Sequence, residues 1–241
     1  MKKTLWLFLL LAQIVSGKVL SARYEVSFGI LQTMGIAETT FEENEDHTYR
    51  IYVSAKTRGV AKILSNNRIE IYESRGIVKD GRLIPSIFIK IRQTNSSKNV
   101  KTYTFDHEKK EVWFQVAEGK KVPSRPKKEK NDYYAHDDFL SLFFNLKYYT
   151  KQQEYYTFYA IGGNKKDGRI DAMYPKNEEL SKTKKSLEMD EGSFLKVVLN
   201  DRIFASRNGE LLINLDAQWL CEKAVLEDVL LFGDIVGTRV K

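Results

Sequence analysis

The sequence predicts a mainly β fold: a strongly curved antiparallel sheet or half-barrel wrapped around one buried helix. Apolar residues alternate with polar ones through most of the chain, tight-turn residues separate the alternating runs, and one segment is apolar on almost all sides. Period-two alternation is typical of strands with one buried face. Short strands joined by tight turns favour antiparallel meanders over alternating βαβ units.

The first seventeen residues predict a cleavable signal peptide. Lys2 and Lys3 form a positive head, residues 5–14 run apolar with one polar interruption, and Val15-Ser16-Gly17 supplies the modest side chains expected before a cut. The apolar run is shorter than the roughly 20 residues that cross a bilayer core, so it favours cleavage over a membrane anchor. A second possible cut follows Ala22. We therefore expect residues 18–241 to form a single β-rich domain in a bacterial periplasm.

The alternating runs predict ten strands and two short helical or polar interruptions. The strands are expected at residues 24–30, 49–55, 87–92, 101–105, 112–116, 155–161, 168–174, 194–199, 211–216 and 225–236. Turns are expected at Asp80-Gly81, Asp106–Lys110, Gly162–Lys166 and Asn208-Gly209. Val60–Leu64 is typical of a helical turn, and Asn177–Ser186 is interpreted as a polar connection.

One segment, Phe139–Tyr149, predicts a helix buried on most sides, because it is apolar almost all the way round. Asp137 and Asp138 directly precede it. Aspartate carboxylates accept hydrogen bonds from the free N–H groups of a helix start, so both residues are predicted to cap this helix. In a chain made otherwise of strands, such a helix is expected to lie in the concave face of the sheet.

A basic segment interrupts the strands at residues 120–130. It carries two prolines, one acid and six bases: Lys120, Lys121, Arg125, Lys127, Lys128 and Lys130. Without apolar periodicity it predicts an exposed loop. Two interpretations remain open, a solubilising loop and a contact with anionic lipid headgroups or lipopolysaccharide phosphates.

The overall charge does not suggest a nucleic-acid groove. The whole chain carries +7, and loss of Lys2 and Lys3 leaves +5. Acids and bases alternate along most of the sequence, which is typical of a solvated surface. We therefore expect no nucleic-acid partner.

The sequence offers no recognisable active site. The three histidines, His47, His107 and His136, lack metal-ligand spacing, and one cysteine, Cys221, excludes an intramolecular disulfide. Cys221 is expected to be a small buried apolar residue. His136-Asp137-Asp138 could suggest a catalytic or metal triplet, but capping explains Asp138. We predict no catalytic residue, no metal and no cofactor.

Aromatic residues provide the leading functional hypothesis. Around a half-barrel they could line a site for a lipid or acyl chain, and Phe143, Phe144, Tyr156 and Phe158 are the predicted contacts. A filled core is the alternative interpretation for each of them. A scaffold that recruits another envelope protein is the second hypothesis, and an enzyme is the third. The chain is expected to be a monomer without a transmembrane segment after cleavage.

Several short motifs resemble, in order, exported bacterial proteins grouped as domain of unknown function 3108. They are Tyr24-Glu25-Val26, Gly35-Ile36-Ala37, Thr57-Arg58-Gly59, Glu73-Ser74-Arg75-Gly76, Leu83-Ile84-Pro85-Ser86, Phe105-Asp106, Asp137–Ser141 and the hairpin at Gly209. The resemblance covers residues 24–236. The chain has Asp138-Phe139 where the family often has Asp-Pro or Asp-Val, which leaves capping intact.

The resemblance implies a periplasmic β-rich domain without an established activity, and it supplies no catalytic residues. The architecture is also similar to that of the envelope lipoprotein carriers, in which an incomplete barrel wraps around helices. That similarity concerns fold and is a weak argument for function.

The signal peptide gives a direct prediction. N-terminal sequencing of the exported protein should begin at Lys18, or at Arg23 if the second site is used, because signal peptidase cuts after small residues. A mature species that retains Met1 would contradict both cleavage and the periplasmic location.

Overall fold

The computed structural model describes residues 17–28, 33–119, 127–150, 154–163, 167–198, 209–229 and 233–240. Residues 1–16 of the predicted signal peptide lie outside the described residues. So do Lys120, Lys121 and Arg125 of the basic segment and Asn208 of one predicted turn. The described part is mainly β, as predicted from the alternation.

Fifteen strands and three helices make up the described chain. In order they are β1 Lys18–Phe28, β2 Thr33–Glu43, β3 Thr48–Thr57, α1 Gly59–Leu64, β4 Ile69–Lys79, β5 Arg82–Gln93, β6 Lys98–Asp106, β7 Glu111–Glu118 and β8 Lys128–Lys130. They continue with β9 Asp137–Asp138, α2 Phe139–Tyr149, β10 Tyr155–Ile161, β11 Arg169–Met173, α3 Asn177–Leu187, β12 Ser193–Val198, β13 Glu210–Leu215, β14 Cys221–Val229 and β15 Gly233–Val240.

All the described strands join one large sheet, in the order β8-β7-β6-β5-β4-β3-β2-β1-β15-β14-β13-β12-β11-β10-β9. Neighbours in sequence are hairpin partners almost throughout. The first and last strands pair antiparallel, with Arg23 opposite Val240, and β9 runs parallel to β10. Among the described strands the two ends, β8 and β9, do not pair with each other, so the sheet is not closed. That it curves into a half-barrel around α2 stays a prediction.

Helix α2 covers its predicted range and packs against two separate parts of the sheet. Leu140, with Phe139 and Phe144, joins a buried cluster whose strand residues come from β2, β3, β5, β6, β7 and β10. Leu142 and Leu146 belong to a second cluster, built from β10 to β13. One helix therefore connects the apolar side chains of strands that are distant in the sheet order.

Helix α3 lies on the opposite face of the sheet. Phe194 and Leu212 pack under it, whereas their neighbours in sequence, Leu195 and Ile213, belong to the cluster beneath α2. The interpretation of Asn177–Ser186 as a polar connection is wrong. Leu180 and the buried Thr183 and Leu187 recur at helical spacing and hold α3 to the strands.

Two further predictions are wrong at strand ends. Residues 225–236 do not form one strand, because β14 ends at Val229 and β15 begins at Gly233. Val225 and Val236, the ends of the predicted strand, are in fact opposite partners in the β14–β15 hairpin. The last three residues of the basic segment are not a loop, because Lys128–Lys130 forms the short edge strand β8 and pairs with β7.

Two strands absent from the predicted set, β2 and β4, complete the sheet between β1 and β5. In β4 the pairing with β5 shifts register between Arg75 and Gly76. The two backbones approach so closely there that a Cβ at Gly76 would collide with the carbonyl oxygen of Ile84. Only glycine fits at this position, because it has no Cβ.

Asn145 fixes α2 to the start of strand β5. Its side chain is fully buried. The amide Oδ1 accepts from the Leu83 N–H at 2.9 Å, and Nδ2 donates to the Leu83 carbonyl at 2.9 Å. The amide thus satisfies both backbone groups of Leu83 as a neighbouring strand would.

Replacement of Asn145 by Leu should lower the free energy of unfolding by about 3 kcal/mol, because the buried Leu83 N–H and carbonyl lose their partner. Lys147→Leu, on the exposed side of the same helix, is the matched control and should change it by less than about 0.5 kcal/mol. Urea unfolding measures both. Equal effects of the two substitutions would contradict this role of Asn145.

Candidate functional site

Asp138 forms the N-cap of α2. Its Oδ1 accepts from the N–H groups of Leu140 at 2.9 Å and Ser141 at 3.0 Å. The Ser141 hydroxyl accepts from the Asp138 N–H at 3.0 Å and so completes a capping box. These contacts satisfy N–H groups that a buried helix start would otherwise leave without partners.

The second oxygen of Asp138 connects α2 to the sheet. Ser74 of β4 donates to Oδ2 at 2.6 Å, and the Tyr49 hydroxyl of β3 lies 2.9 Å from the Ser74 hydroxyl. All three side chains are buried, with Asp138 and Ser74 at 0% exposure. The cap is therefore also a cross-link between the helix and two adjacent strands.

Asp137 faces other partners. Its Oδ1 accepts from Asn145 at 2.8 Å, and its Oδ2 accepts from the Tyr149 hydroxyl at 2.9 Å. These contacts of the Asp137 carboxylate are to side chains, so the capping contacts of α2 come from Asp138. His136 Nδ1 lies 3.5 Å from Asp137 Oδ2 at the exposed margin of this group.

The buried position changes the acidity of this polar cluster. Burial raises the pKa of Asp138 to about 7, against the hydrogen bonds from Ser74, Ser141 and Leu140, which favour the charged form. Burial and the nearby Asp138 charge also raise the pKa of Tyr49. The hydrogen bond to Asp137 raises the pKa of His136, which favours its charged form.

Perturbed acids often mark active sites, but the location of Asp138 argues for a structural role here. A general acid or base must come within hydrogen-bond reach of a substrate. Asp138 has no exposed surface and Asp137 is 4% exposed, so both carboxyls are almost entirely shielded from molecules in solution. The arrangement can hold a proton within the core.

The structure brings together two of the three histidines. The rings of His107 and His136 lie 5.1 Å apart. His107 is already held by the Pro85 carbonyl at 2.6 Å and the Tyr134 hydroxyl at 2.9 Å. No group of three His, Cys, Asp or Glu residues suited to a metal ion occurs within the described ranges.

The aromatic residues predicted to contact a ligand are half-buried, and they fall into two groups. On α2, Phe143 and Phe144 meet edge to face at 5.9 Å, and Phe144 stacks on Phe41 at 5.0 Å. On β10, Tyr156 and Phe158 stack at 5.7 Å with 5° between their planes. Phe143 and Phe158 both pack against the second cluster. The rings thus border the core and keep part of their surface in solvent.

Tyr149 of α2 contacts the β10 group, since its ring lies 6.1 Å from that of Phe158. Two surface depressions, of about 560 and 380 Å³, are instead found beside α3. They are lined mainly by charged and polar side chains, among them Lys184, Lys185 and Glu188. Their lining is less suited to an acyl chain than the aromatic rings beside α2.

The described bases of the basic segment all have partners. Lys130 Nζ binds Glu111 at 2.6 Å, Lys127 lies 3.4 Å from Glu129, and Lys128 Nζ lies over the Trp113 ring at 5.5 Å. All three are exposed. They form a charged margin along the edge strand β8.

Cys221, expected to be buried, is half-buried and packs beside the second cluster. Burial raises the pKa of its thiol to about 12, which disfavours the thiolate. Within the described residues, none of the helices is both long and apolar enough to span a bilayer.

Sequence reasoning missed Ser74, Tyr49, Tyr149 and Asn145 as parts of this site. Asn145 had a usable signal, because a single amide inside an otherwise apolar helix has to find a buried partner. Ser74 lay inside one of the quoted motifs without an assigned role. Ser74 and Asn145 lie more than sixty residues from their partners, Asp138 and Leu83, so no local pattern pairs them.

Comparison with known proteins identifies the family but no activity. The model of a family described as protein of unknown function (DUF3108) matches residues 23–186, which is more than half of the chain, and the chain belongs to this family. No curated protein matches it. A β-barrel-like protein of domain of unknown function DUF1849 from Brucella abortus is similar at 10% identity, with a TM-score of 0.49 and coverage of 92% of this chain and 95% of that chain.

The raised pKa of Asp138 predicts a pH-dependent stability. Folding favours the protonated carboxyl, so the contribution of this group is fully present below pH 3.8 and is lost as the pH rises through about 7. Asp138→Asn keeps the cap acceptor and donates to Ser74 at every pH. Its free energy of unfolding should therefore rise relative to the unsubstituted protein between pH 4 and pH 7, as urea titrations at each pH can measure.

The matched control for this titration is Asp132→Asn, which alters an exposed carboxylate. It should show no comparable trend. A constant difference between Asp138→Asn and the unsubstituted protein across this pH range would contradict a neutral Asp138 in the core.

Proposed function

We propose that this member of the DUF3108 family is a non-enzymatic periplasmic protein that binds an amphipathic ligand with an acyl chain beside helix α2. One observation carries the proposal. The uncovered side of α2 and the adjacent β10 present half-buried aromatic rings next to an exposed cation. Such a surface combines what an acyl chain and an anionic headgroup require.

Helix geometry places the relevant side chains of α2 together. Phe143, Phe144 and Lys147 are one, three and four residues apart, so they fall on one side of the helix. Lys147 is exposed and the two rings are half-buried. The apolar rings offer contact area to a hydrocarbon chain, and the ammonium group offers charge to a carboxylate or phosphate.

The β10 rings extend this surface. Tyr156 and Phe158 lie on the face of β10 that carries buried Ala160, whereas Tyr155 and Tyr159 point to the other face and are 66% and 51% exposed. Tyr174 meets Tyr156 edge to face at 6.1 Å. A linear chain laid over these rings would gain contacts from both the helix and the strand.

We also propose that the sheet curves around α2 as an open half-barrel, as in the envelope lipoprotein carriers. The support comes from packing. Strands β2 to β7 and strands β10 to β13 stand at different parts of the sheet order, yet both sets place side chains against α2. A flat sheet could not bring both sets to one helix of eleven residues.

The competing functions receive less support. An enzyme would need its perturbed acid within reach of a substrate, and Asp138 is enclosed. A scaffold that adds partner strands would need an accommodating sheet edge. Strand β8 has three residues, all exposed, with lysines at both ends, and short lysine-bearing edges oppose strand addition.

The register of β1 supports cleavage after Gly17 rather than after Ala22. Residues Lys18–Ala22 pair with Glu43–Thr39 of β2, and Leu20 packs against the first core cluster. A cut after Ala22 would remove these contacts. The mature protein of this proposal therefore begins at Lys18.

Displacement of a fluorescent fatty acid tests ligand binding. Phe143→Ala should weaken binding about tenfold, because a phenyl ring in contact with the chain contributes on the order of 1–2 kcal/mol. Tyr155→Ala removes an aromatic ring from the outer face of β10 and should leave affinity unchanged. Lys147→Gln should weaken the binding of a fatty acid but not that of the fatty alcohol of equal length, which carries no negative charge.

Native mass spectrometry of protein taken from its own cells gives the complementary readout, since a bound lipid adds a discrete mass. A clean unliganded mass together with no displacement would contradict the proposal. Equal losses of affinity in Phe143→Ala and Tyr155→Ala would indicate that the binding site does not lie beside α2.

A further inference from the structure

Helix α1 exposes three large aliphatic side chains at one end of the sheet. Val60 is 62% exposed, Ile63 80% and Leu64 75%, and the helix has no buried residue. Isolated exposed aliphatic residues are common on proteins, whereas a contiguous group marks a contact surface. We refer to Val60, Ile63 and Leu64 as the aliphatic tip.

Polar contacts, not apolar packing, hold α1 in place. Thr57 Oγ1 lies 2.9 Å from Ser65 Oγ and donates to the Arg68 carbonyl at 3.1 Å. Asn67 Nδ2 donates to Asn95 Oδ1 at 3.1 Å, in the loop that joins β5 to β6. The aliphatic tip is therefore not needed for α1 to dock on the sheet.

The surroundings of the tip are cationic. Lys56, Arg58 and Lys62 are exposed next to it in the chain. Lys56 pairs with Ile69, Ile69 with Gln93, and Gln93 with Lys98, so exposed Lys98 lies on the same edge row of the sheet.

Fewer acids than bases lie around the tip. Glu70 binds Arg68 and Arg92, and Glu118 accepts a hydrogen bond from Asn99. Exposed Glu25 lies on the row of Lys56 through Ile36. Arg68 and Arg92 offset Glu70, and Glu25 and Glu118 offset two of the four bases Lys56, Arg58, Lys62 and Lys98, so the surroundings of the tip keep an excess of positive charge.

We propose that the aliphatic tip and its cations dock this end of the sheet onto an anionic lipid bilayer. Aliphatic side chains on a short helix bury themselves at the headgroup boundary, and neighbouring lysines and arginines add attraction to anionic lipids. A stable protein interface needs roughly 800 Å² from each partner. Three side chains on a six-residue helix are small for that purpose but sufficient for shallow membrane contact.

This docking is independent of the ligand surface on α2, because none of its residues belongs to that surface. It assigns the chain a second contact, with the bilayer itself. A result that disproves acyl-chain binding would not affect the membrane-docking proposal, and a result that disproves membrane docking would not affect acyl-chain binding.

Vesicle sedimentation tests the proposal. Full-length protein carrying Val60→Ser, Ile63→Ser and Leu64→Ser is compared with a control carrying Val19→Ser, Ile77→Ser and Val240→Ser. The control removes three aliphatic residues exposed by 62%, 49% and 44% from elsewhere in the sheet. Both variants retain residues 1–17, so any membrane affinity of that segment cancels in the comparison.

The tip variant should partition at least tenfold less than the control into vesicles of phosphatidylcholine and phosphatidylglycerol, with the same melting temperature. Binding of the unsubstituted chain should fall steeply as salt rises from about 0.1 to 1 M, since the Debye length shortens from about 10 to 3 Å. Equal partitioning of the two variants would overturn the proposal. So would equal binding to vesicles of phosphatidylcholine alone.

A local probe gives a readout specific to α1. Ile63→Cys in a Cys221→Ser chain is labelled with an environment-sensitive nitrobenzoxadiazole dye, and Ile77→Cys in the same chain is the control. Anionic vesicles should shift the emission of the dye at position 63 to shorter wavelength and leave that at position 77 unchanged. Unshifted emission at position 63, or a shift that requires a second protein and no lipid, would overturn membrane docking.

Discussion

The fold depends on how a nearly all-apolar helix is held in one orientation. Apolar contacts are non-directional, so the side chains around α2 would tolerate rotation or a shift along its axis. The buried contacts of Asp138 with Ser74 and of Asn145 with Leu83 remove that freedom, because each works at one position. Misplacing the helix by one turn would leave several buried polar groups without partners. These contacts decide which aromatic rings face the core and which reach solvent.

The helix and its cap could be predicted from local sequence, but the partners could not. Asp138 stands at the start of an apolar run, and capping follows from that position. Ser74 and Leu83 lie 64 and 62 residues away from their partners. Asn145 provides the clearest retrospective signal, because an amide within such a helix requires buried partners even when the sequence does not name them.

The errors in the strand prediction share a cause. Strand β4 was missed because Glu70, Glu73 and Arg75 interrupt its apolar residues, yet Glu73 binds Arg50 of the neighbouring strand β3 as well as Arg75 of its own strand. Paired charges fit a sheet as well as apolar residues do, and the pairing is invisible along one strand. The prediction of a single strand at residues 225–236 was wrong for the opposite reason. The apolar stretch at residues 229–232 hid the hairpin, whose second strand begins at Gly233 with a φ of 74°.

The three helices divide apolar and polar residues in different ways, and the difference bears on function. In α3, Leu180, Thr183 and Leu187 hold the helix to the sheet, so its exposed surface is polar, as in an ordinary surface helix. Hydrogen bonds of the residues that flank α1 hold that helix to the sheet, and its aliphatic side chains are exposed. Helix α2 lies between these cases, since it is anchored by Asp138 and Asn145 and keeps partly exposed rings at Phe143 and Phe144. Apolar surface that stays exposed after folding offers contact area to other molecules, and this chain keeps it on α1 and, in part, on α2.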